Sequence, residues 1–362
     1  MDALCHIALI GMIAALAIPA SAAPAPPGTE TAAPSVRYTV LDIGPLTYVT
    51  DDIAPGLNEA GQISFWGLTA DKVIHAFVLA NGHTKDLGKL PGYGVSISRA
   101  INKSGQIVGW SVTGENLVDS LATMHAFSYK GGKITDLGTL GGRDSQALGI
   151  NDAGKIVGVS NVSAVARHGF LYQDGKMTDL GTLPGGTFSV ANAINAAGDI
   201  AGTAADGAQV EHAVVWKHGR ITDIGTLPEG KRSHAVAINK AGDVCGFSEI
   251  GRGQVHGFLY KDGKMIDLGE LGDAPSRANG LNDHGQVVGA SNVTERIRHA
   301  FLWQDGEMQD LNDAISPSEP WDLQEGCAIN NQGLILCTGA THSNVRHLLL
   351  LAPLSKATAH HP

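Results

Sequence analysis

The chain has 362 residues and a formal net charge of −10, with 47 glycines, 43% apolar residues and only 5% aromatic ones. That acidic balance disfavours nucleic acid and anionic membrane surfaces as general partners. The apolar fraction excludes a disordered chain, and the glycines suit many short strands joined by tight turns.

Residues 7–18, IALIGMIAALAI, form an apolar run of 12 residues, too short to span a bilayer. Pro19 and the small-x-small Ala20-Ser21-Ala22 follow, so residues 1–22 are expected to be a secretory signal peptide, although Asp2 stands where a basic residue is usual. Residues 23–36 are Pro/Ala-rich and read as a linker, and residues 354–362 as a C-terminal tail. A secreted or periplasmic monomer follows, with no transmembrane span after cleavage.

From residue 37 onward one unit repeats. Its first mark is Asn-x-x-Gly, beginning at Asn58, Asn102, Asn151, Asn195, Asn239, Asn282 and Asn330, copies 43 to 49 residues apart. Apolar residues precede each Asn and a run such as Gln-Ile-Val-Gly follows each Gly, the pattern of a hairpin whose turn ends in the left-handed region. The Asn is a turn residue that bonds the backbone two residues on, and no acidic cluster accompanies it to make a calcium site.

The second mark is a His opening an apolar run: His75, His125, His168, His212, His256, His299 and His347, six of them 17 residues after their Asn. A tight turn such as Asp174-Gly175 follows, then an ending such as MTDLG. Each unit therefore holds four strands, the content of a propeller blade. The first ordered segment, RYTVLDIG at residues 37–44, is a lone fourth strand, whereas the last, HLLLLAP at 347–353, is a third strand without its fourth. The halves balance only if they share a blade. The predicted fold is an all-β, seven-bladed propeller over 37–353, closed by its N-terminal strand, which leaves no exposed sheet edge at the junction.

The pattern HAF(L)(Y/W)-x-D-G-K-x-x-D-L-G-x-L, carried by His75-Ala76-Phe77, His125-Ala126-Phe127 and His299-Ala300-Phe301, resembles the bacterial extracellular HAF-repeat family. Near matches stand at His168-Gly169-Phe170 and His256-Gly257-Phe258; His212-Ala213-Val214 and His347-Leu348-Leu349 depart from it. The resemblance implies a secreted protein and brings no catalytic residue with it.

Six His precede an Asp by 11 residues: His75 and Asp86, His125 and Asp136, His168 and Asp179, His212 and Asp223, His256 and Asp267, His299 and Asp310. Across a two-residue turn the two are diagonal neighbours on one face, so a His–Asp hydrogen bond is expected in each blade. His347 should then pair with Asp42 from the other end of the chain. The same distribution around a ring argues against zinc, which needs three or four ligands at one point. No metal or other cofactor is expected.

An unbulged register places Cys327 opposite Cys337, where a cross-strand disulfide is one expectation and two packed thiols the other. Cys245 takes an apolar core slot. Arginines gather on the long-loop face of the disc: Arg143, Arg167, Arg232, Arg252, Arg277, Arg296, Arg298 and Arg346. Those of blades 5 to 7 would form an anion-binding arc, because Arg binds carboxylate or phosphate through two parallel bonds; the alternative is pairing with acids such as Glu249, Asp273 and Glu295. Tyr93, Phe188 and Trp321 in the same loops could stack on sugars or anchor a partner.

The innermost strands approach the axis at Pro55, Arg99, Leu148, Asn192, Val236, Asn279 and Cys327, slots without His or carboxylate. There is no nucleophile elbow, P-loop or zinc-protease motif. The leading reading is a binding or scaffold propeller for an unknown protein or polysaccharide, such as an anionic glycan or protein segment. The alternative is a hydrolase or lyase acting on an extracellular polymer.

Overall fold

Each Asn-x-x-Gly segment closes a hairpin through a bond from the Gly N–H to the Asn carbonyl, with the Gly at φ between 72° and 91°. The outer hairpins turn through pairs such as Asp174-Gly175, both at positive φ, as primed turns require. In the computed structural model, residues 38–46, 55–114, 122–272, 275–341 and 345–354 are described. The expected signal peptide, the linker and nearly all of the tail lie outside them.

Among the described residues, 28 strands form seven four-stranded antiparallel sheets arranged as a seven-bladed β-propeller. In blade 3 the order from the axis outward is Ser145–Ile150, Ile156–Asn161, Arg167–Gln173 and Lys176–Asp179. Blade 7 takes Asp322–Ile329, Ile335–Ala340 and Arg346–Pro353 from the C-terminal end and its outermost strand, Tyr38–Pro45, from the N-terminal end. Tyr38 pairs with Pro353 and Asp42 with Leu349, so the ring is closed by its own first strand. No helix of the described residues is long and apolar enough to cross a membrane.

The core lies in the seams between blades. Phe127, Phe170, Phe258 and Phe301, the aromatic residues that follow the repeated His, are fully buried there. Ile63 of blade 1 packs on Leu336 and Leu348 of blade 7, so the closing seam is as apolar as the others.

Two polar circuits repeat with the blades. Each Asn side chain donates from Nδ2 to the Asn carbonyl of the next blade, at 2.9 Å from Asn58 to Asn102 and 3.0 Å from Asn151 to Asn195. Asn330 returns the bond to Asn58 at 3.1 Å, completing a ring of seven around the axis. Each Oδ1 meanwhile caps its own turn, as in the 2.9 Å bond from Asp199 N to Asn195. The second circuit uses buried serines at the start of the inner strands. Ser189 Oγ accepts from Gly169 N at 2.9 Å and donates to Gly181 O at 2.6 Å, tying blade 4 to blade 3. Ser96, Ser145, Ser233 and Ser276 do the same at their seams. At the seam of blades 6 and 7, Asn312 takes over, bonding both N and O of Leu323.

Candidate functional site at the channel mouth

The inner strands do not run straight. In blades 2 to 7 the register against the second strand slips by one residue, leaving Arg99, Leu148, Asn192, Val236, Asn279 and Cys327 unpaired. A β-bulge re-aims its extra side chain, and these six, with Pro55, line the axial channel in a well of about 230 Å³. The bulge brings a carbonyl over the second strand, and a Cβ at Gly202 would collide with Val190 O, which accounts for glycine at this step of the repeat.

The bulge corrects the disulfide expectation. Cys337 pairs with Gly326 and not with Cys327, whose side chain turns to the channel; both thiols are free and buried, as is Cys245. Burial, with Glu325 nearby, pushes the Cys327 and Cys337 thiols well up, and burial lifts Cys245 to about 12.

Blade 7 carries a second slip, between Leu323 and Glu325. Its extra residue is Gln324; Glu325, two residues before the Cys327 bulge as Arg277 is before Asn279, stands beside the channel and adds a carboxylate close to slots that by themselves hold none. Above the well opens a cup of about 650 Å³ on the long-loop face, lined by Arg99, Arg277, Arg298, Glu325, Asn279 and Asn292 together with Val236, Phe247, Pro275 and Ala290. Arg99 comes from blade 2 and reaches blades 5 to 7 across the axis; burial lowers its pKa from the ordinary arginine value. Arg298 Nη2 lies 3.1 Å from Glu325 Oε2, and Asn279 Nδ2 donates to Oε1 at 3.0 Å. Arg277 lies over the Phe247 ring, 4.5 Å from its centroid, while the other ring contact of Phe247 is His234 at 4.7 Å. Burial pulls the His234 pKa down, partly offset by Glu211.

The remaining arginines lie elsewhere. Arg296 is on an exposed turn, Arg143 donates to Ala122 O at 2.8 Å, and Arg167 reaches Gln146 at 3.4 Å. Arg232 is exposed and Arg346 half-buried, neither lining the cup; the side chain of Arg252 is not among the described residues. Tyr93 packs against His125 and Trp321 against His347, with ring centroids 5.7 and 5.0 Å apart. Phe188 is half-buried beside Arg167. The three aromatics sit in different blades and form no shared platform.

The His–Asp geometry recurs around the rim. Nδ1 lies 2.6 to 3.0 Å from the carboxylate in the pairs of His75, His125, His168, His256, His299 and His347 with Asp86, Asp136, Asp179, Asp267, Asp310 and Asp42. His212 and Asp223 approach to 3.1 Å without hydrogen-bond alignment. Each Asp also accepts the N–H two residues on, at 2.7 to 2.9 Å, so it locks the end of its strand. Among the described residues no group of three or more His, Cys, Asp or Glu is placed to hold a metal ion.

The chain matches no protein-family model and no curated protein. Among solved structures it is similar to the β-propeller domain of the trilobed protease from Pyrococcus furiosus, described as having an open Velcro topology. That match has a TM-score of 0.53 at 10% identity and covers 87% of this chain and 93% of that one. It is also similar to a puromycin-hydrolyzing peptidase from Mycobacterium tuberculosis, with a TM-score of 0.56 at 13% identity, covering 91% of this chain and 54% of that one. Likeness at such identities is one of fold.

Proposed function

We propose that the protein is an exported binding propeller whose cup takes an anionic ligand from the long-loop face. One observation carries the reading: Arg99, Arg277 and Arg298 converge on a single cavity with one carboxylate, in a chain of net charge −10. A concave site walled by low-dielectric protein focuses such a field on an incoming anion. Its size falls within the roughly 300–1,000 Å³ of small-molecule sites. A propeller hydrolase would use the same axis, but most glycoside hydrolases use two carboxylates. Among the described residues the cup offers Glu325 alone, with both oxygens engaged.

The test is an array of glycans and extracellular proteins probed with the mature chain at low and high salt. Acidic ligands should bind, weaken with salt, and be lost in Arg277→Gln/Arg298→Gln. Affinities that the double variant leaves unchanged would remove the cup as the site, and turnover of a labelled polymer would favour the enzyme.

A further inference from the structure

Within that reading, we propose that the cup's ligand is a hydroxylated monocarboxylate, a sugar acid of the uronate type, entering end-on with its carboxylate toward Arg277 and Arg99. Arg277 is pre-oriented. Its guanidinium plane is taken up by Phe247, itself backed by His234, so its N–H edge is what remains for a partner. That edge matches the two coplanar oxygens of a carboxylate.

The rest of the cup selects against a phosphate or sulfate. Glu325 sits in the wall, bound to Arg298 and Asn279, and its charge repels a multiply charged anion. A carboxylate oxygen can accept more than one hydrogen bond, which suits a hydroxyl donor. Phosphate sites commonly draw on backbone N–H nests or helix N-termini. The described residues include no α-helix to offer such an N-terminus. The Asn292 amide supplies both donors and an acceptor, as a polyhydroxylated ring requires, and Asn279, whose N–H groups go to Glu325 and Gly326, its Oδ1. The cup narrows onto Arg99, Val236 and Asn279, shared with the well below, so a ligand enters along the axis by one end.

Titration calorimetry on the mature chain tests this with five probes: D-glucuronate, tetragalacturonate, D-glucose, inorganic phosphate and sulfate. The two uronates should bind and glucose should give no heat. Arg277→Gln, a change at an exposed side chain, should weaken uronate binding about 10- to 100-fold, the loss expected for a charge-assisted bond. Circular dichroism would confirm that the variant is folded. Tighter binding of the tetramer assigns the end of an acidic polysaccharide; equal affinity assigns the free acid. Phosphate or sulfate bound as tightly as the uronates, and lost in Arg277→Gln, overturns the ligand class while the anion-binding cup stands. Uronate binding that survives Arg277→Gln overturns both, and no binding of either uronate overturns the ligand class.

Discussion

Asp42→Ala probes the contact on which ring closure rests. Asp42 accepts from His347 Nδ1 at 2.8 Å, across 305 positions of sequence, and from Gly44 N at 2.9 Å. Each such bond contributes a net ~0.5–1.5 kcal/mol. Because Asp42 is 41% exposed, solvent screening discounts the pair. The loss should be about 1–2 kcal/mol, a fall of roughly 1.5–3 °C in Tm for a domain of this size. Asp179→Ala is the internal standard, since it removes the same two bonds, with Asp179 42% exposed, inside one hairpin. Differential scanning calorimetry would compare both with Thr29→Ala in the Pro/Ala-rich segment 23–36. If Asp42→Ala costs no more than Thr29→Ala, the closing pair holds nothing and the reasoning about the rim is wrong.

The buried circuits should cost more than the rim. Ser189→Ala strands the N–H of Gly169 and the carbonyl of Gly181 in the seam and should destabilise by about 2–4 kcal/mol, read by urea unfolding. Asn195→Ala breaks the axial ring and uncaps its turn, and should fall in the same range. Ellman's reagent at pH 8 should find Cys245, Cys327 and Cys337 unreactive in the folded chain, and all three should react in denaturant without reductant; a missing pair would mean a disulfide. His234 has a folded pKa below its unfolded value, so its contribution to stability is present above about pH 6.5 and is lost as pH falls through the folded pKa. His234→Phe should flatten the fall in Tm between pH 7.5 and pH 5 relative to wild type; an unchanged slope would assign that fall to other groups.

The fold was legible because its turns are chemical. Asn-x-x-Gly, Asp-Gly and the His–Asp interval mark strand ends at fixed spacing, and Asp42 falls in the slot that His347 lacks in its own repeat. The channel-facing positions were legible as well, since Arg99, Asn192 and Asn279 interrupt an otherwise apolar repeat. Reading every hairpin as unbulged hid the one-residue slip, which moved Cys327 off Cys337, and left Glu325, two residues before Cys327, unrecognised as the counterpart of Arg277. The Asn ring joins residues more than 40 positions apart, so no local pattern shows it. The serines Ser96, Ser145, Ser189, Ser233 and Ser276 recur with the blades and could have been found from their spacing alone. Of the arginine arc, Arg277, second in the inner strand of blade 6, and Arg298, which opens its third strand, line the cup, whereas Arg296 stays out on its turn.

The cup exists only if the ring closes, because Arg99 and Glu325 meet across the axis from blades 2 and 7. Thr39 and Ala352 are cross-strand partners in the closing blade, 313 positions apart. Oxidising a Thr39→Cys/Ala352→Cys variant should therefore give a monomeric, internally cross-linked species of altered mobility on a non-reducing gel. Two reactive thiols left at these sites, or cross-linked oligomers in place of the monomer, would show that the N-terminal strand does not complete the last blade of its own chain.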